Sequence, residues 1–107
     1  MKREIKIVLK NLKSRQEIYI DLEKEKLFFN GEEKEVDVLG IASRIFSIIS
    51  NWKDNYYSDA IVDGGEFSVS FFDGKRSRKI SGRGLYPQNF KELARLIGEV
   101  QIGRAHV

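Results

Sequence analysis

The spacing of apolar residues changes along this chain, and the change constrains its fold more than any other feature. Up to residue 30, apolar residues alternate with polar ones, as in a half-buried strand. From residue 38 to residue 52 they recur every three or four positions, as in an amphipathic helix. Alternation returns between residues 66 and 81, and a helical period follows it. The sequence therefore predicts strands, a helix, strands and a second helix.

The first half of the chain is predicted to form three strands and the main helix. Ile5 to Leu9 is the first strand, and Glu17 to Leu22 pairs with Lys26 to Asn30 as a hairpin, because β-forming residues are bounded by turn residues there. The helix is predicted over about Asp37 to Asn51, with Asp37 as its N-terminal cap. It supplies the largest apolar stripe in the sequence.

The second half is predicted to form a long loop, a hairpin and a shorter helix. Residues 53–65 are the loop. Residues 66–72 and 75–81 are the hairpin, with Asp73-Gly74 as a two-residue type I′ turn that would place Phe72 opposite Lys75. The last helix is predicted to start at Asn89, in capping-box spacing with Glu92, and to stop near Gly98.

These elements predict a fold of the α+β class with the order β-β-β-α-β-β-α. Short hairpin connections favour a mainly antiparallel sheet, and we expect the helix at about 37–51 to pack on one face of it. Residues 1–100 are predicted to be one domain, since the chain length suits a single core. Residues 102–107, Ile-Gly-Arg-Ala-His-Val, resemble a translated sequencing adapter, and we expect residues 101–107 to be a non-native tail.

Composition excludes several classes of function. The sequence has no cysteine, which removes thiol nucleophiles and thiolate metal sites, and its one histidine, His106, lies in the tail. Ser68 and Ser70 therefore lack an imidazole to activate them. No apolar run is long enough for a membrane span, so we expect a cytoplasmic protein with no membrane partner. We also expect no metal, no cofactor and no enzymatic activity.

Charge is segregated along the chain, although the net charge is only +3. Residues 1–15 carry six basic residues and one acidic residue, whereas residues 16–37 carry three basic and eight acidic residues. Residues 75–84 carry five basic residues and no acidic one. We expect this last group to form a basic stripe, which Lys2, Arg3 and Lys6 would extend if the first strand lies beside it.

The leading hypothesis is a small binding module that contacts an acidic protein partner. Arginine and aromatic residues dominate binding energy at protein interfaces, which is why the basic hairpin and the neighbouring tyrosines are named together. The candidate binding residues are Lys75, Arg76, Arg78, Lys79, Arg83, Tyr56 and Tyr57.

Three other interpretations stay open at this point. The same stripe could bind nucleic acid through its phosphates. Its basic residues could instead protect an edge strand from pairing with another sheet, or simply be solvated. Finally, Gly82-x-Gly84 before a helix could bind a phosphate ligand at residues 82–89, although a tight connection also explains the two glycines.

One stretch resembles a known group of proteins. Residues 64–97 contain an Asp-Gly hairpin, then Gly82-Arg83-Gly84 and Tyr86-Pro87-Gln88-Asn89-Phe90 before a helix. This pattern is similar to the C-terminal half of small uncharacterised bacterial and metagenomic proteins. The resemblance implies a compact bacterial α+β protein, and it implies no catalytic residues.

Overall fold

A computed structural model describes residues 3–58 and 65–103 as seven strands and two helices. In chain order these are β1 (Glu4–Lys10), β2 (Arg15–Asp21), β3 (Lys26–Phe29), β4 (Glu32–Glu33), α1 (Val38–Ile49), β5 (Asn55–Tyr57), β6 (Glu66–Phe72), β7 (Ser77–Arg83) and α2 (Phe90–Gln101). The predicted α+β class is confirmed, whereas the predicted order of elements lacks β4 and β5.

The described strands form one sheet in the order β4-β3-β2-β1-β6-β7-β5. Every neighbouring pair is antiparallel except β5 and β7, which run parallel. The middle strand is β1, where Ile7 lies opposite Ile18 of β2 and opposite Val69 of β6. Directly opposed residues share a face of the sheet, so these three side chains point to the same side.

Both helices pack on that side, which we call the inner face. The carboxylate of Asp37 accepts a hydrogen bond of 3.2 Å from the backbone N–H of Gly40, so the predicted cap of α1 is confirmed. The sheet contributes to the core Ile5, Ile7, Ile18, Ile20, Leu27, Phe29, Phe67, Val69 and Ile80. The helices, together with Trp52 three residues after the end of α1, contribute Val38, Ile41, Ala42, Ile45, Ile49, Trp52, Leu93, Leu96, Ile97 and Val100.

The two strands that the sequence did not predict lie at the two edges of the sheet. β4 contains only Glu32 and Glu33, which show no apolar alternation. β5 falls inside the segment predicted to be a long loop, and it exists because Asn55–Tyr57 pair with Ser81–Arg83 of β7. Since α1 connects β4 to β5, the helix has to cross the inner face from one edge of the sheet to the other.

The turn between β6 and β7 differs from its prediction by two residues in register. Val69 lies opposite Ile80 and Phe72 lies opposite Ser77, so Phe72 does not face Lys75. The two central turn residues are Gly74 and Lys75, and Gly74 has a φ of +100°, as the first central position of a type II′ turn requires. The Asp73 carboxylate accepts the N–H groups of Lys75 and Arg76 at 2.9 and 2.8 Å. A shift of two keeps every side chain on its predicted face, which is why the apolar pattern alone did not reveal it.

The second helix is longer than predicted. It continues through Gly98 to Gln101, because Val100 is fully buried and extends the apolar stripe by one turn. Asn89 precedes the helix but makes no side-chain capping bond, so the predicted capping box is wrong. Residues 104–107 of the predicted tail lie outside the described part of the chain.

The opposite side of the sheet, which we call the outer face, is covered by neither helix. Its side chains alternate with the buried ones along each strand, and they are polar on β1, β6 and β7 with few exceptions. Neither helix in the described part of the chain is long and apolar enough to cross a membrane.

Substitution of Gly82 tests the close packing of β5 on β7. A Cβ atom at this position would lie 2.4 Å from the Phe67 ring and 2.7 Å from the Tyr56 carbonyl oxygen. We expect Gly82→Ala to lower the free energy of unfolding by roughly 1–3 kcal/mol, the usual effect of overpacking. The measurement is urea unfolding followed by circular dichroism.

The matched control is Gly98→Ala in α2, where a Cβ would meet no atom within 4 Å. Alanine favours a helix over glycine by about 0.5–1 kcal/mol, so this variant should be more stable than the parent. Equal stability of the two variants would contradict the packing described at Gly82.

Candidate functional site

The structure separates the five basic residues of the predicted stripe. Lys79 and Arg83 lie on the outer face, because they alternate along β7 with the buried Ile80 and Gly82. Lys75 and Arg76 lie in the turn beyond the two strands, where both are exposed. Arg78 points to the inner side, opposite Phe71. The hairpin by itself therefore does not present one continuous stripe.

Arg78 has a structural role. Its Nε donates to the Asp54 carboxylate at 2.9 Å, and its guanidinium also donates to the backbone carbonyl of Trp52. These bonds tie β7 to the segment that connects α1 with β5. Because both hydrogen bonds involve a charged donor, they stabilise that connection more than neutral hydrogen bonds would.

The two tyrosines point to opposite faces. Tyr56 packs on the inner side with its ring 6.1 Å from that of Phe67, and its hydroxyl accepts the N–H of Lys53 at 2.7 Å. Tyr57 lies on the outer face, 59% exposed, with its hydroxyl 3.0 Å from the Ser81 hydroxyl. Only Tyr57 is available to a partner on the outer face.

The basic residues of the N-terminal segment join those of β7 on the outer face. β1 and β7 pair with opposite edges of β6, so one residue of each lies in a common row across the sheet. One such row is Lys6, Ser70 and Lys79. The next two rows are Val8, Ser68 and Ser81, and then Lys10, Glu66 and Arg83. Of the residues expected to join the stripe, Arg3 instead pairs with Glu23 at 3.0 Å, and Lys2 lies outside the described residues.

Two depressions mark this face. The first has a volume of about 360 Å³ and is lined chiefly by polar groups of Lys10, Arg15, Tyr57, Ser68, Lys79 and Ser81. The second, of about 340 Å³, is lined by Lys6, Ser70, Phe72, Ser77 and Lys79 among others. Lys79 belongs to both, so the depressions adjoin along β6 and β7. We call them together the outer groove.

The cations of the outer groove differ in how far they are neutralised. Lys6 Nζ lies 3.1 Å from one oxygen of Glu17, and Arg15 lies 3.6 Å from the other. The Arg83 guanidinium lies 3.6 Å from the Glu66 carboxylate. By contrast, Lys10 and Lys79 form no ion pair with any described residue. These two ammonium groups carry the unbalanced positive charge of the groove.

Glu17 is the one acidic group of this surface with a resolved pKa shift. The hydrogen bond from Lys6 is the main cause that lowers the pKa of Glu17; burial acts in the opposite direction, and the charges of Lys6 and Arg15 lower the pKa further. The pair therefore helps to hold β1 against β2 across the outer face.

The glycines before α2 are explained by packing and turn geometry. Gly82 lies against Phe67 and Tyr56, and Gly84 has a φ of +74°. At the start of α2, the N–H groups of Phe90 and Glu92 donate to the carbonyls of Pro87 and Asn89. These bonds occupy donors that a phosphate would need, so the interpretation of residues 82–89 as a phosphate loop gains no support.

Metal binding gains no support from the described residues either, since they contain no cluster of three carboxylate or imidazole side chains that could hold an ion. His106 lies outside them.

Comparisons with protein-family models, with curated proteins and with solved structures found no match to this chain. The resemblance of residues 64–97 to small bacterial proteins stays a prediction, and the function has to be argued from the surface itself.

Sequence reasoning missed several members of the outer groove, among them Lys10, Arg15, Phe72 and Ser81. The excess of basic residues in positions 1–15 was visible in the sequence. The sequence did not show that β1 pairs with one edge of β6 while β7 pairs with the other. This pairing brings the basic residues of β1 close to those of β7.

Replacing Arg78 tests its structural role. Arg78→Met removes both hydrogen bonds but keeps an apolar side chain, and we expect it to lower the free energy of unfolding by roughly 1–3 kcal/mol. Lys79→Met, one residue along the same strand, is the control and should change stability little because Lys79 makes no such bonds. Urea unfolding of both variants measures the difference; equal losses would show that Arg78 does not stabilise the fold specifically.

The ion pair of Glu17 predicts a pH dependence. A carboxylate whose pKa is lowered in the folded state stabilises that state above its ordinary pKa of 4.5, and the stabilisation is lost as the pH falls through the lowered value. We therefore expect Glu17→Gln to be less stable than the parent at pH 7, with a difference that shrinks towards pH 3. Urea unfolding at a series of pH values measures this. A difference that does not depend on pH would show that the charge of Glu17 is not its cause.

Proposed function

We propose that this chain is a non-enzymatic binding module that holds an anionic partner in the outer groove. The observation that carries the proposal is the position of Lys10 and Lys79. They come from two different strands, they flank the hydroxyl pair Ser68 and Ser81, and neither forms an ion pair with a described residue, although Glu66 and Glu4 also line the groove. An anion bound there would meet two ammonium groups and a floor of hydroxyl donors.

The open shape of the surface supports binding rather than catalysis. The outer groove is shallow, and its serines have no neighbouring imidazole within the described residues. The two carboxylates with a lowered pKa, Glu17 and Asp73, owe it to hydrogen bonds from Lys6 and from the turn backbone respectively. Both pKa shifts thus have a local structural cause. A cytoplasmic location remains part of this proposal.

An acidic protein remains one candidate for the partner. Tyr57 is exposed and lies opposite Arg83 in the pairing of β5 with β7, so an aromatic ring and a guanidinium stand together at the edge of the groove. Lys75 and Arg76 are exposed at the tip of the hairpin and could extend the contact. Arg78 and Tyr56, which the sequence-based hypothesis included, are engaged on the inner side.

Charge reversal in the outer groove tests the proposal. We expect Lys10→Glu combined with Lys79→Glu to weaken binding of linear polyphosphate, or of a glutamate-rich peptide, by roughly tenfold or more at low salt, because two attractive contacts become repulsive. The measurement is fluorescence anisotropy with each labelled probe at low and near-physiological salt. Circular dichroism establishes that the variant is folded.

The matched control is Lys91→Glu combined with Arg95→Glu on α2. It changes the net charge by the same amount, but both residues are exposed on a helix that packs on the inner face. This control should keep most of the affinity of the parent. If neither probe binds the parent chain, or if both double variants bind alike, the outer groove is not an anion-binding surface.

A further inference from the structure

We propose that the anionic partner is a single-stranded nucleic acid that lies along the outer groove. This inference rests on the proposed function, because it names the partner of the same surface. Three features of the groove carry it: the chemistry of its centre, its elongated shape, and the aromatic rings at its two ends.

The chemistry at the centre of the groove fits phosphates better than a protein. The middle rows contain Lys6, Lys79, Ser68 and Ser70, with Val8 as their one aliphatic side chain. The centres of protein interfaces are depleted in lysine and serine and are built around large apolar side chains. Contacts with a phosphate backbone, in contrast, come mainly from lysine, arginine and hydroxyl side chains.

The shape of the groove fits a narrow, extended polyanion. Lys6 and Lys79 flank Ser70 from the two neighbouring strands, so their backbones are about 10 Å apart, which is twice the spacing of adjacent strands. Along the strands, the groove extends from the row of Lys10 and Glu66 to the row of Glu4 and Phe72. These rows are six positions apart along the strand, a length of about 20 Å. Lys6 and Lys79 share one row, and Lys10 lies four positions further along the strands, about 13 Å away, so the lysines are spread along the groove.

Aromatic rings lie at both ends of the groove. Tyr57, which is 59% exposed, lies beside the row of Lys10 and Arg83, and the half-buried Phe72 lines the depression at the other end. Accessible aromatic rings next to a positively charged groove are the features with which proteins bind single strands, since bases stack on the rings while the cations follow the backbone. In a duplex the bases are already stacked on one another, so the rings would have no face to contact. The arrangement therefore favours a single strand.

The decisive experiment compares three anionic probes on the full chain by fluorescence anisotropy. The probes are a labelled single-stranded oligouridine, a blunt RNA duplex of equal length and linear polyphosphate. We expect the single strand to bind more tightly than the duplex. With three lysine contacts, the logarithm of its affinity should fall with the logarithm of the salt concentration with a slope of about −2.

Substitutions of Tyr57 separate stacking from charge. Tyr57→Ala should weaken oligouridine binding by about tenfold, the usual effect of losing one stacked base, and should weaken polyphosphate binding much less, because polyphosphate has no base to stack. Tyr57→Phe is the matched control: it keeps the ring but loses the hydroxyl contact with Ser81, and it should bind oligouridine like the parent.

The possible outcomes are distinct. If the duplex binds as tightly as the single strand, or if Tyr57→Ala binds oligouridine like the parent, the single-strand inference is wrong while the proposed anion-binding function can still hold. A glutamate-rich peptide that binds more tightly than oligouridine would identify an acidic protein as the partner. Failure of all the probes to bind would remove the proposed function together with this inference.

Discussion

The packing around Phe67 is the interaction on which the rest of this structure depends. The centre of its ring lies 5.9 Å from the ring centre of Trp52, which follows α1. The ring centres of Phe90 at the start of α2 and of Tyr56 in β5 lie 5.2 and 6.1 Å away. One side chain of β6 thus contacts the ends of both helices and an edge strand. Helices and a sheet share few backbone hydrogen bonds. They are held together instead by the burial of apolar surface and by contacts between aromatic rings of this kind.

The inner packing also decides what the outer face presents. Successive side chains of a strand point to opposite faces, so the position of Tyr56 against Phe67 turns Tyr57 outward. In the same way, the contact of Arg78 with Asp54 and Trp52 fixes β7 so that Lys79 faces outward. The surface that we propose for binding is therefore a consequence of the core.

Both helices lie on one side of the sheet, and this leaves its other side exposed. An antiparallel sheet tolerates such an arrangement when the uncovered side chains are polar, which is the case for the serines and lysines of β1, β6 and β7. Stability alone would be satisfied by any mixture of polar residues at these positions. Charge is unevenly distributed on this face. Glu17 and Glu66 take part in ion pairs, whereas Lys10 and Lys79 form no ion pair with a described residue. This imbalance suggests a binding role.

Local periodicity is enough to predict the fold class and the faces of the main strands, and one side chain beside its own helix is enough to predict the N-terminal cap of α1. Tertiary structure decided the rest. The two edge strands carry too little apolar alternation to be recognised, and they exist only because a neighbour offers them hydrogen bonds. The same is true of the binding surface: Lys6 and Lys79 are far apart in the sequence, and only the pairing of β1 and β7 with opposite edges of β6 places them on either side of Ser70. Strand pairing is a long-range choice that local patterns do not encode.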